Sequence, residues 1–257
     1  MPDYSAIDNS QLINFIFYPR DDFSDCQGNC FDISVPVAKD VEVSCRLYYR
    51  DQAWPTILYF HGNGEVVSDY DGISMLYLKE GINLLVADYR GYGASTGLPA
   101  LNNLAPDANA ILAAVREELA RRDFSGRLWI MGRSLGSLSA IELALRHGDT
   151  FGGLIIESGF ASILSITLHL GLPMPEGIDP GVILEESLAM VRQITIPALI
   201  IHGEQDNLVP VGEAHQLHEQ IGSSQKELLV IPEADHNDIM FTGIERYFEA
   251  IKRFVVH

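Results

Sequence analysis

Positive charge is scarce in this chain: 17 Lys and Arg stand against 35 Asp and Glu in 257 residues, a formal net charge of −18 at pH 7. Polyanions are held mainly by Lys and Arg, so nucleic acid and anionic membrane surfaces are not expected partners. Cysteine is scarcer still. Cys26, Cys30 and Cys45 form an odd set without a Cys-x-x-Cys pair, which predicts reduced thiols rather than a disulfide framework. No apolar run approaches the roughly 20 residues that span a bilayer, so stable membrane insertion is not expected. The opening Met1-Pro2-Asp3-Tyr4 has neither a basic n-region nor an apolar h-region, and cytoplasmic residence is the expectation that follows. There is no His-Glu-x-x-His, no Cys/His cluster and no full Gly-x-Gly-x-x-Gly fingerprint. Neither a catalytic metal nor a dissociable cofactor is therefore expected.

What is present is apolar and ordered. Nearly half the residues are hydrophobic and a fifth are charged, enough to bury a substantial core under a solvated surface. No repeat, low-complexity tract or Pro/Gly-rich linker divides the chain, so residues 1–257 read as one domain. Phe31–Ala38 and Val41–Arg50 alternate loosely around Lys39-Asp40 and predict an antiparallel hairpin. Thr56–Phe60, Asn83–Ala87, Leu128–Met131, Gly153–Ile156, Ala198–Ile201 and Leu228–Ile231 are short apolar runs, the pattern of strands buried on both faces of a parallel sheet.

Helical spacing lies between them. Asp107–Arg122 is the clearest case, with Ile111, Leu112, Val115 and Leu119 on one face and Pro106 suited to a first turn. Ser134–Arg146, Gly212–Ile221 and Ile239–Val256 follow, and Val66–Glu80 more weakly. The alternation predicts an α/β fold with right-handed crossovers and helices on both faces of the sheet. Residues 161–194 break it. This connection carries Pro173, Pro175 and Pro180 beside Leu168, Leu170, Leu172 and Met174, and reads as a short cap, since long insertions are often functional.

Trp129-Ile130-Met131-Gly132-Arg133-Ser134-Leu135-Gly136 runs an apolar strand into Gly-x-Ser-x-Gly and then into a helix. The two glycines relieve crowding at a sharp turn that projects the Ser134 hydroxyl, and Ser134 is the candidate nucleophile. Asp206, just beyond the strand ending Ile200-Ile201, is the candidate acid, with Glu204 the near alternative and Glu157 a remoter one. His236 lies between the last strand and the last helix and is the candidate base. Of the other seven histidines, His147, His215 and His218 fall on predicted helices and His257 is terminal. His61 and His202 suit turn roles, and His169 lies in the cap, where it could touch only substrate.

Taken with His61-Gly62-Asn63-Gly64 and Asp88-Tyr89-Arg90-Gly91-Tyr92-Gly93, these motifs make the chain from about Phe31 onward resemble the α/β-hydrolase family. They follow its order of nucleophile, acid and histidine. The wording is similar to the branch of the Bem46-like proteins and ABHD-type protein depalmitoylases, although a Cys-rich N-terminal anchoring segment is missing. The resemblance implies a mostly parallel central sheet with an N-terminal antiparallel hairpin and a small cap insertion. It also implies an oxyanion hole from the Asn63 and Leu135 amides, and a serine hydrolase cleaving esters or thioesters through an acyl-enzyme on Ser134. A serine nucleophile disfavours the dehalogenase and epoxide-hydrolase branches. A serine peptidase or amidase of the same fold is the second reading, and a non-catalytic binding module on the same scaffold the third. Leu170, Leu172 and Met174 are the expected substrate-binding residues, lining an acyl pocket over Ser134 for a small-molecule or acylated substrate. Asp88 and Arg90 are expected to be structural.

Overall fold

The computed structural model describes residues 1–256; His257 lies outside the described residues. Eight strands form one sheet in the order β1-β2-β4-β3-β5-β6-β7-β8. The expected hairpin is β1 (Cys30–Ala38) and β2 (Val41–Tyr48), antiparallel to each other, with β2 also antiparallel to β4. The six apolar runs became β3 (Thr56–Phe60), β4 (Asn83–Ala87), β5 (Leu128–Arg133), β6 (Phe151–Glu157), β7 (Ala198–Gly203) and β8 (Lys226–Ile231). All their mutual pairings are parallel.

Each central strand feeds two cores, because successive side chains point to opposite faces. Leu58, Phe60, Ile130 and Ile156 pack toward α4 (Leu101–Arg121), α5 (Gly136–His147), α7 (Pro180–Val191) and α8 (Val211–Gln220). Ile57, Tyr59, Met131 and Ile155 pack toward α3 (Tyr70–Lys79), α9 (Ile239–Thr242) and α10 (Ile244–Val256). Burial of each such large side chain contributes about 1.5–3 kcal/mol, which is why these strands read as continuous apolar runs. Among the described residues, no helix is long and apolar enough to cross a membrane.

Four expectations need correction. Helix α4 begins at Leu101, so Pro106 stands inside it and not in its first turn. Its start is set from a distance: the Asp8 carboxylate accepts the Leu101 and Asn102 N–H groups at 2.8 and 3.1 Å, the cap that local sequence did not offer. Asp8 ends α1 (Ser5–Asp8), and α2 (Ile13–Ile16) follows; neither helix was expected. The run Ile239–Val256 is split at Gly243 into α9 and α10, and Val66–Glu80 opens with a 3-10 turn, Val67–Asp69, before α3. Lastly, Cys26 and Cys30 are joined as a disulfide, and only Cys45 is free and buried. The chain turns at Gly28, φ +83°, and brings the two Cα atoms to 5.9 Å, a proximity that a four-residue spacing alone does not dictate. The expectation of reduced thiols falls for this pair and holds for Cys45.

Candidate active site

The Gly-x-Ser-x-Gly segment makes a turn that requires glycine at both of its ends. Ser134 sits at φ 49°, a left-handed conformation that is strained for a residue with a Cβ and is found where surroundings over-determine it. Here they do. A Cβ on Gly136 would lie 2.1 Å from the Phe60 carbonyl oxygen, and one on Gly132 would lie 2.4 Å from that of Gly136. The Ser134 N–H donates to the Glu157 carbonyl at 2.9 Å, and the Ser137 hydroxyl donates to the Ser134 carbonyl at 2.6 Å.

Across the C-terminal edge of the sheet, His236 and Asp206 converge on Ser134. His236 Nε2 is 3.2 Å from Ser134 Oγ, and its Nδ1 is 2.7 Å from Asp206 Oδ2. All three side chains are buried. Burial alone would raise the Asp206 pKa. Hydrogen bonds from His202, His236 and the Val209 amide, with the attraction of His236, outweigh it and hold the carboxyl well below the usual carboxylate range. Of the other acids weighed from sequence, Glu204 accepts from the Glu233 N–H at 3.3 Å, and Glu157 faces Arg133 and Tyr247. His202, on β7, has its Nε2 2.8 Å from the Val209 carbonyl and 3.3 Å from Asp206 Oδ2. His169 has its Nε2 3.2 Å from the Asn207 carbonyl.

Asn63 and Leu135 border the same space as Ser134. Among the described residues, neither of their backbone N–H groups donates to a protein acceptor, which leaves both free for an oxygen on a bound molecule. The loop carrying Asn63 is held from beneath. His61 Nδ1 is 2.8 Å from the Gly62 carbonyl and Nε2 3.1 Å from Asp88 Oδ1. Desolvation opposes charge on that buried ring, yet two acceptors and the nearby Asp88 and Glu65 carboxylates push its pKa up. Asp88 also accepts from the Val67 N–H at 2.9 Å, and Arg90 pairs bidentately with Asp107, so both residues take structural parts.

Sequence reasoning passed over Arg133, the first of the two variable residues of Gly-x-Ser-x-Gly. Its buried guanidinium donates to Glu65 Oε1 at 2.5 Å, Glu157 Oε1 at 3.2 Å, the His236 carbonyl at 2.8 Å and Asn237 Oδ1 at 3.1 Å. It thereby ties the nucleophile strand to the His236 loop and, through Glu65, whose Oε2 accepts the Gly62 N–H at 2.8 Å, to the Asn63 loop. Burial raises the Glu157 pKa, and its longer bond to Arg133 does not offset that; burial also acts on Glu65, but Arg133, His61, Tyr70 and the Gly62 amide bring it down. The only signal was a cation at the end of an apolar strand, between Gly132 and Ser134. Arg133→Gln, which leaves the buried Glu157 carboxylate without its cation and the partly exposed Glu65 unpaired, is expected to lower stability by about 3 kcal/mol in urea unfolding. A loss below about 1 kcal/mol would remove Arg133 from this role.

The segment 161–194 contributes α6 (Ile163–His169), capped by the Ser162 hydroxyl, and α7, capped by Asp179. With Leu208 and Val209 it borders a cavity of about 100 Å³ that opens on Ser134. Leu170 and Leu172 line that cavity; Met174 does not, packing half-buried against the core instead, and Leu168 is exposed. The turn after α6, with Gly171 at φ +66°, comes just before both residues, and which of them faces the cavity is not dictated by their spacing. Among the described residues, no group of three or more His, Cys, Asp or Glu side chains is placed to hold a metal ion.

Comparison with known proteins agrees with this architecture. The Hydrolase_4 family, described as serine aminopeptidase S33, matches residues 51–172 and 183–240. Protein bem46 of Schizosaccharomyces pombe is 30% identical over 205 residues, covering 78% of this chain and 67% of its own. The uncharacterized protein YfhR of Escherichia coli K12 is 28% identical over 246 residues, covering 88% of this chain and 80% of its own. Among solved structures, the Pyrococcus furiosus esterase Pf2001 superposes with a TM-score of 0.73 at 20% identity, over 93% of this chain and 98% of that one.

Proposed function

We propose, from the premise that this chain belongs to the Hydrolase_4 family and to the Bem46-like branch of the α/β-hydrolases, that it is a serine hydrolase cleaving carboxylic ester or thioester bonds. The observation that carries the reading is the hydrogen-bonded line from Ser134 Oγ through His236 to Asp206, at 3.2 and 2.7 Å. In it, His236 Nε2 takes the hydroxyl proton as Oγ attacks the acyl carbonyl, and Asp206 holds Nδ1–H and stabilises the imidazolium. The Asn63 and Leu135 amides receive the developing oxyanion. Collapse of the tetrahedral intermediate expels the alcohol or thiol, protonated by His236, and leaves the acyl group on Ser134. Water activated by the same imidazole then releases the carboxylic acid.

Apolar lining favours an acyl group over a peptide's amino end. Apart from Ser134, only Asn63 and Thr167 are polar among the residues bordering the cavity, and a free α-ammonium would call for a carboxylate there. An apolar cavity of ~150 Å³ accepts benzene, so this one takes about four carbons. For acetyl through decanoyl esters, kcat/KM is expected to rise by up to about fourfold per carbon as far as butyryl and then level off. Leu172→Asp should flatten the rise. A profile flat from acetyl to decanoyl in the wild type would sink the acyl-pocket role. Absence of labelling by a fluorophosphonate probe would sink the serine-hydrolase reading itself.

A further inference from the structure

We propose that the N-terminal segment, outside every motif that identified the site, supplies specificity-determining residues: Ile16 forms an inner wall of the acyl cavity and Phe15 a lip at its mouth. This rests on the acyl-enzyme reading above. Both residues border the cavity that contains Ser134. Ile16 is buried like its neighbours Phe160, Ile163 and Val209, whereas Phe15 is 62% exposed, as are Leu170 and Leu208 in large part. The buried set therefore bounds the interior and the exposed set the entrance.

A wall selects by size only if it stays in place, and this one is fastened on both sides. Before it, Ile7 and Leu12 are buried in the core under α4, and Asp8 caps that helix. After it, the Tyr18 N–H donates to the Asn63 side-chain oxygen at 2.8 Å, which also accepts from the Tyr92 hydroxyl at 2.7 Å. Arg20 then donates to the Gly64 carbonyl at 2.9 Å and pairs with Asp69 at 2.8 Å. The segment is thus bonded to the very loop that carries the Asn63 amide, and its Phe15 and Ile16 share the cavity with Ile163, Ile166 and Thr167 of the cap helix α6.

Ile16→Ala removes three carbons from the wall, space for about three more of the acyl chain at roughly 25 Å³ each. The ratio of kcat/KM for heptanoyl to butyryl p-nitrophenyl esters is expected to rise at least tenfold, against a ceiling of about sixtyfold from fourfold per methylene. Ile16→Phe should move the ratio of butyryl to acetyl the other way by a similar factor. Phe15→Ala, at an exposed position that folding tolerates, should lower kcat/KM for octanoyl esters threefold or more, through KM and not kcat. Ratios within twofold of wild type in all three variants, with active esters turned over, would overturn the assignment and leave the serine hydrolase intact. If the wild type turns over none of these esters, the reading on which it rests fails and takes the assignment with it.

Discussion

Ser134→Ala and His236→Ala will each lower the turnover of an activated ester by about 10³- to 10⁶-fold, and the double variant will be scarcely worse than either. The two groups act as one unit, because Oγ is a weak nucleophile until Nε2, 3.2 Å away, takes its proton, and the imidazole has nothing to activate once the hydroxyl is gone. On the proposed mechanism, residual catalysis in every variant is expected from the Asn63 and Leu135 amides and from binding. The measurement is kcat/KM of the two single variants and the double, with circular dichroism to establish that each is folded. A folded single variant keeping more than about a tenth of wild-type activity would end that residue's candidacy, and additive losses would separate the pair.

Asp206→Asn is expected to lower acylation by about 10³- to 10⁴-fold with little change in KM, since the amide cannot hold Nδ1–H in place or balance the imidazolium. The same carboxylate has a second, independent signature. Its folded pKa is depressed, so its charge contributes stability that is fully present above the unfolded value of 3.8 and is lost as pH falls from there toward the lower folded value. Acid unfolding should therefore be shallower below pH 4 in Asp206→Asn than in the wild type. A rate untouched by Asp206→Asn would shift the acid's role to Glu204 or Glu157. The structure makes Glu157 a poor substitute, since it is already bonded to Arg133 and Tyr247.

The six parallel strands and the positions of Ser134, Asp206 and His236 were legible because each has a local cause. A strand buried on both faces must be apolar along its length. A sharp strand-to-helix turn must have glycine where a Cβ would strike Phe60 or Gly136 carbonyl oxygen, and acids and bases in this architecture gather just past strand ends. The start of α4 was misread for the complementary reason: its cap, Asp8, is more than ninety residues away. The break at Gly243 and the Cys26–Cys30 bridge likewise depend on how the chain turns in space and not on residue spacing.

Residue order by itself determined that this chain builds a doubly covered α/β sheet and carries a serine, an acid and a histidine at its C-terminal edge, since these follow from burial period and backbone sterics acting over a few residues. Tertiary structure alone decided which acid meets His236, that Arg133 bonds the nucleophile strand to the His236 and Asn63 loops, that Leu172 and not Met174 faces the cavity, and that Ile16 borders it. Those outcomes depend on which distant segments share a few ångströms of space. A buried charge or an apolar wall is defined by what surrounds it, and the neighbours in sequence are not the neighbours that do so.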